Sequence, residues 1–160
     1  MDASAFYAGI PFLSGIRWFT SSLVFNEIQH IKRSYSVLDA LIYSGNLVIL
    51  QPDDASIITV ENAAKQSGDI AKLSKADISI LALAYQLKRM LITDDYSIAN
   101  VSSSLHVVVK TIGNRGIKRI RRSIAICPAC EITYAPETTE CLNCGNRLKY
   151  MYKAKSKGRR

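Results

Sequence analysis

Apolar residues along the chain fall into two rhythms. Leu23, Val24, Ile28 and Ile31 recur at helical spacing, and Ser21-Ser22 can cap that helix. A second helix is predicted from Ser34 or Ser36 through Ile42-Tyr43, with Gly45 as its stop. Residues 46–50 are a short apolar run between Gly45 and Pro52, the mark of a buried strand. Asp53-Asp54 open a helix that ends near Ser67-Gly68. After Ser74, the apolar positions Ile78, Leu81, Ala82, Tyr85 and Met90 predict a long helix. Strands are predicted over residues 90–93 and the Val-rich 105–110, with a short helix over 95–103 between them. Residues 16–20 read as a further short strand or loop. Helices that alternate with short apolar strands predict an α/β fold, a parallel sheet covered by helices on both faces. In such sheets function gathers at the carboxyl ends of the strands.

Composition narrows the class. Of 160 residues, 48% are hydrophobic, which supports a folded chain rather than a disordered one. No apolar run approaches the roughly 20 residues that span a bilayer. The opening Met1-Asp2-Ala3-Ser4 lacks a basic stretch followed by an apolar one, so no signal peptide is read and a soluble, cytoplasmic protein is expected. The net charge of +8 is uneven: residues 1–109 carry −2 and residues 110–160 carry +10. Such asymmetry points to a polyanionic partner, and the basic end has little apolar material to insert into a membrane, which favours nucleic acid. The expected organisation is a body over 1–110, a basic linker or a strand leading into the next module over 111–122, a cysteine module over 123–150 and a basic, disordered tail over 151–160.

All four cysteines fall in Cys127-Pro-Ala-Cys130 and Cys141-Leu-Asn-Cys144-Gly145. Each pair can bend into a knuckle that turns two thiolates toward one ion, and two knuckles complete a tetrahedral, closed Zn²⁺ site of structural type. The module has too little core to fold without a staple. Disulfides, a redox pair or an iron–sulfur centre are the alternatives; the symmetric spacing and a reducing compartment favour zinc. His30 and His106 do not stand at ligand spacing.

Asp2, Glu27, Asp77 and the pair Asp94-Asp95 are candidates for a second metal site. Asp94-Asp95 follow a predicted strand, while Asp77 and Glu27 lie near predicted helix starts. Carboxylates gathered at one sheet edge repel one another unless a cation neutralises them, and Mg²⁺ or Mn²⁺ suits oxygen ligands. Each also has a structural explanation: Ser74-Lys-Ala-Asp77 fits a capping box, Asp94 or Asp95 a helix cap, Glu27 a solvated helix face, Asp2 a loose terminus.

Four segments together resemble the PIN-domain ribonucleases: Asp2-Ala-Ser-Ala-Phe6, Thr20-Ser-Ser-Leu-Val-Phe-Asn-Glu27, Asp77-Ile-Ser-Ile-Leu-Ala-Leu-Ala84 and Leu91-Ile-Thr-Asp-Asp95-Tyr96. With the four-cysteine ribbon, and with residues 93–101 and Gly116-Ile-Lys118, the chain is similar over nearly its whole length to the Nob family of endonucleases, which mature the 3′ end of small-subunit ribosomal RNA. The resemblance implies a PIN-like α/β/α sandwich plus zinc ribbon, and metal-dependent hydrolysis within single-stranded precursor ribosomal RNA. It implies Asp2, Glu27, Asp77 and Asp95 as holders of Mg²⁺ or Mn²⁺, with Asp94 auxiliary. Its implied partners are the small ribosomal subunit precursor and helper proteins. One departure stands out: the family's first strand precedes the opening Asp, whereas here only Met1 does, so either further sequence lies upstream or that strand is missing.

The basic residues Lys110, Arg115, Lys118, Arg119, Arg121 and Arg122, continued by Arg147 and Lys149 and then by the tail, are the expected phosphate contacts. Tyr134, Tyr150 and Tyr152 can stack on unpaired bases or pack the ribbon. Thr20, Ser4 and Asn100 are candidates for positioning phosphate or water. Two other readings are carried forward: a toxin-type PIN ribonuclease acting on transfer or messenger RNA, and a non-catalytic, zinc-stabilised RNA-binding assembly factor.

Overall fold

In the computed structural model, which describes residues 1–12, 15–28, 35–113, 121–135 and 138–154, the elements run α1 (Ala3–Tyr7), β1 (Trp18–Ser21), α2 (Ser22–Ile28), α3 (Tyr35–Tyr43), β2 (Leu47–Leu50), α4 (Asp54–Ser67), α5 (Lys75–Gln86), β3 (Leu91–Ile92), α6 (Tyr96–Ser104), β4 (Val109–Lys110), β5 (Arg121–Ile126), β6 (Thr133–Tyr134) and β7 (Lys149–Ala154). Local chemistry sets most boundaries. Ser21 Oγ accepts from Val24 N at 3.3 Å at the start of α2. Asp53 caps α4 through Ser56 N at 2.7 Å, and α4 stops at Gly68, whose φ of +78° is the left-handed turn that glycine adopts without strain. At α5, Ser74 Oγ accepts from Asp77 N while Asp77 Oδ2 accepts from Ser74 N, a full capping box.

The strands form two parallel pairs. β1 lies beside β2 in the register Trp18↔Leu47 to Ser21↔Leu50, and β3 beside β4 with Leu91↔Val109. Met1 and Asp2 join the pairs. Met1 N donates to Phe19 O of β1, Asp2 N donates to Ile92 O of β3 at 3.1 Å, and Thr20 Oγ1 donates to Met1 O at 3.1 Å. These two residues therefore lie between β1 and β3, and the backbone at Asp2 is extended. Asp2 sits where that backbone leaves the sheet and α1 begins.

The core lies between sheet and helices. Val24 and Ile28 of α2, Val60 of α4, Ile80, Leu81 and Leu83 of α5, Leu91 of β3, and Ile98 and Val101 of α6 are buried. Burying each such side chain contributes about 1.5–3 kcal/mol, and these contacts fix the helix starts relative to the strand ends.

Several sequence expectations are corrected. The helix after Ser74 stops at Gln86 rather than reaching Met90, because Lys88 turns left-handed at φ +51°. The strand expected over 105–110 shortens to Val109–Lys110: Leu105 still caps α6, and His106 turns at φ +57°. At the basic end, β5 pairs antiparallel with β7 from Arg121↔Ala154 to Ile126↔Lys149. Of the two readings of 111–122, the strand holds at Arg121 and Arg122, whereas residues 151–154 are strand rather than disordered tail, since the ladder satisfies their backbone groups. Residues 114–120 and 155–160, with Arg115, Lys118 and Arg119, lie outside the described residues, as does His30.

Candidate active site and metal centre

Three carboxylates stand at helix starts. Asp2 is buried, and both its oxygens are engaged: Oδ1 accepts from Ala3 N at 2.6 Å, and Oδ2 accepts from Thr93 Oγ1 at 2.7 Å and Ser4 Oγ at 3.2 Å. Asp95 caps α6, with Oδ1 accepting from Ser97 N at 2.6 Å and Ile98 N at 3.1 Å; its Oδ2 makes no hydrogen bond among the described residues. Asp77 lies in the first turn of α5 with Oδ2 in the capping box and Oδ1 likewise free. The positive ends of three helices thus carry the negative groups. Thr93, fully buried, links two of them: its hydroxyl donates to Asp2 and accepts from Asp95 N at 3.0 Å.

Glu27 comes from α2 and makes no hydrogen bond through its carboxylate among the described residues. It is largely exposed, yet its pKa is raised, first by the solvent its carboxylate loses against the protein and then by the charges of Asp77 and Asp2. Burial also raises Asp77, opposed by its Ser74 hydrogen bonds and reinforced by Asp2 and Asp95. The charges of Asp77 and Asp2 thus act on Glu27, and those of Asp2 and Asp95 act on Asp77. Beside Glu27 a shallow depression of about 430 Å³ is lined by Leu23, Asn26, Glu27, Ser74, Lys75 and Ala76.

Asp94 behaves differently. Its Oδ1 accepts from Ile112 N at 2.8 Å, its own N–H donates to Ser4 Oγ at 3.4 Å, and it is not among the charges that raise Glu27 or Asp77. Two of the proposed positioning groups are also reassigned. Thr20 is buried and holds Met1 in the sheet; Asn100 is buried and donates from Nδ2 to the fully buried Asp69. Ser4 does touch the site, through Asp2.

The donor set suits a divalent ion held with water. No three carboxylate oxygens here gather as closely as the four sulfurs do; those sulfurs, within 4.8 Å of one another, form the one such ligand cluster among the described residues. An ion bound by one or two carboxylates that retains several waters is the way Mg²⁺ is usually held. Four thiolates about 2.3 Å from one zinc stand about 3.8 Å apart, so the ribbon sulfurs fit a tetrahedral centre. Its two knuckles match: Glu131 N donates to Cys127 O and Gly145 N to Cys141 O, and Glu131 and Gly145 both take positive φ, near +58° and +71°. Every sulfur has a donor: Cys130 N to Cys127, Asn143 Nδ2 to Cys130, Tyr134 Oη to Cys141 and Asn146 Nδ2 to Cys144. Hydrogen bonding to Cys144 pushes the Cys130 thiol up to about 12, whereas the Tyr134 hydroxyl lowers Cys141 to about 6. Four thiolates coexist only with a cation among them. Lys110, Arg147 and Lys149 are exposed, as is Tyr150.

A family model described as the PIN domain of ribonuclease matches residues 1–87. The chain belongs to the PIN-domain ribonucleases. Named relatives match beyond those residues. The endoribonuclease Nob1 of Pyrococcus abyssi is 33% identical over 151 residues, covering 93% of this chain and 90% of that protein. Ribonuclease VapC1 of Thermoplasma acidophilum is 34% identical over 95% of this chain and 77% of its own. The 20S-pre-rRNA D-site endonuclease NOB1 of Saccharomyces cerevisiae is 33% identical over 81 residues, 49% of this chain and 17% of its own. This PIN protein is an endoribonuclease, and PIN nucleases use divalent metals. Among the described residues no helix is long and apolar enough to cross a membrane.

Proposed function

We propose that this ribonuclease cuts single-stranded precursor ribosomal RNA at the 3′ end of the small-subunit RNA, within the small-subunit precursor and its helper proteins. The placement of Asp2 and Asp95 on the two sides of the Thr93 hydroxyl, with Asp77 close enough to feel both and Glu27 to feel Asp77 and Asp2, carries the catalytic part of this reading. The name of the yeast relative supports the choice of precursor ribosomal RNA, and that of the Pyrococcus relative supports endoribonuclease activity. The Thermoplasma ribonuclease, matched at similar identity, supports ribonuclease activity without favouring that substrate over transfer or messenger RNA.

Asp2, Glu27, Asp77 and Asp95 would hold one or two Mg²⁺ or Mn²⁺ ions, and the four cysteines a structural Zn²⁺. A divalent ion bound there supplies positive charge to the scissile phosphate and makes nearby water more acidic. Asp2, fixed by three donors, presents its lone pairs without reorganising. The free oxygens of Asp77 and Asp95 supply further negative charge at helix starts that remain formed without a ligand. Glu27, whose carboxylate makes no hydrogen bond among the described residues, is suited to orient an attacking water and take up its proton. Lys110, Arg147 and Lys149, with Arg115, Lys118, Arg119, Arg121 and Arg122, supply phosphate contacts that bring affinity rather than sequence choice. The reading puts the reaction in the cytoplasm, where reducing conditions leave the thiols available to metal.

The test incubates the full chain with a precursor fragment spanning the mature 3′ end, with and without Mn²⁺. Cleavage at that end only with metal is expected, and Asp95→Asn should lose at least about a hundredfold in rate, the scale of a lost electrostatic group, while still binding RNA. Binding without cleavage under any metal, or full activity in D95N, would refute the proposal. Preferred cutting of transfer or messenger RNA would favour the toxin-type reading.

A further inference from the structure

We infer that Asp94 is a positioning residue that fastens the end of β4 beside the acidic edge, so that RNA held by exposed Lys110 arrives in line with the carboxylates. The geometry follows from the parallel ladder of β3 and β4. Leu91 N donates to Val108 O and Thr93 N donates to Lys110 O at 3.2 Å. The next amide on the β4 side is Ile112 N–H, which in a continuing ladder would meet a backbone carbonyl beyond β3. It meets the Asp94 carboxylate instead, at 2.8 Å. The ladder therefore ends on a side chain, and Thr111 closes a turn behind it, donating from Oγ1 to Gly113 O at 3.2 Å. Asp94 is itself tied to the site, since its N–H reaches Ser4 Oγ, which also donates to Asp2.

The usual role for an Asp at this place is already taken, because Asp95 caps α6. An exposed carboxylate with no helix to cap instead holds the backbone between exposed Lys110 and the sequence that carries Arg115, Lys118 and Arg119. The substrate part of this inference rests on the ribonuclease reading above; the anchor itself does not.

Two measurements on the full chain separate these parts. The first is amide exchange at Ile112, which needs no activity. Asp94→Asn keeps an acceptor oxygen and should keep Ile112 protected, whereas Asp94→Ala should lose that protection. The second is steady-state cleavage of a single-stranded RNA at saturating Mn²⁺. D94A should raise KM roughly tenfold, the scale of losing one residue's prior backbone ordering, with kcat within about twofold. D94N should match the wild type in KM, kcat and the Mn²⁺ concentration for half-maximal rate. Unchanged Ile112 exchange in D94A overturns the anchor. Unchanged KM in D94A, with active wild type, overturns its role in RNA alignment. A fall in kcat or weakened Mn²⁺ dependence in D94N overturns it in favour of a metal ligand. If D94A does not fold, Asp94→Ser takes its place under the same criteria, because its shorter side chain falls short of Ile112 N. If the wild type cleaves no RNA, the ribonuclease reading fails while the exchange result still judges the anchor.

Discussion

Thr93→Val removes one oxygen from the centre of the acidic edge and leaves the shape nearly unchanged. The Thr93 hydroxyl is fully buried, donates to Asp2 Oδ2 at 2.7 Å and accepts from Asp95 N at 3.0 Å. A hydrogen bond to a charged group is worth about 1.5–3 kcal/mol, and the amide bond about 0.5–1.5 kcal/mol. Asp2 keeps Ala3 N and Ser4 Oγ, so the lower part of the range applies, near 2 kcal/mol in total. Thr93→Ser keeps the hydroxyl and deletes a buried methyl, at about 0.8 kcal/mol. Urea unfolding should therefore rank wild type above T93S and T93S above T93V, with unchanged slope. Cleavage by T93V should fall in kcat more than in KM, because Asp2 and Asp95 lose their shared tether. If T93V proves as stable as T93S, the hydroxyl does not hold the buried carboxylate and the argument for a prearranged site fails.

Glu27→Gln removes a group that the fold keeps at raised pKa. A carboxyl raised above its unfolded value weakens folding when ionised, and that penalty fades as pH falls through the folded pKa. E27Q should therefore melt no lower than wild type at neutral pH without divalent ions, by a margin kept small because the group is exposed, and the two should converge toward acid pH. Adding Mn²⁺ should raise the melting temperature of wild type more than that of E27Q; equal shifts would separate Glu27 from the ion. In the ribbon, stripping metal with a strong chelator should abolish the slow amide exchange of Ala125 and Leu148 and leave that of Ile80 and Leu81 intact; retained ribbon protection would show that its small core suffices alone.

The α/β alternation and the helix stops at Gly45 and Gly68 could be read because their causes are local: apolar spacing, caps and glycine at positive φ. The four-cysteine module was legible for the same reason, since ligand spacing is itself the signal. The shortened β4 was not legible, because Val107–Val109 looks like a strand while the turn at His106 is set by how α6 ends. Nor was the extension of β7 past Tyr150, where lysine suggests solvation but the partner strand is far away in sequence. Among the acids, the structural readings hold without using up the carboxylates: Asp77 completes its capping box and Asp95 its helix cap, and each keeps one oxygen without a hydrogen bond among the described residues. Asp94 and Asp95 are adjacent and of one type, so only tertiary contacts separate them, one to Ile112 and one to the start of α6.

That double duty changes how disuse would look in a descendant of this chain. Losing Asp2, Asp77 or Asp95 disturbs the start of a helix, so selection for folding alone would retain them long after RNA cutting had ceased to matter. Glu27 has no such protection, because nothing within the described residues leans on its carboxylate. A sequence of this kind that keeps the three aspartates but carries another residue in place of Glu27 is best read as a fold that has outlived its chemistry.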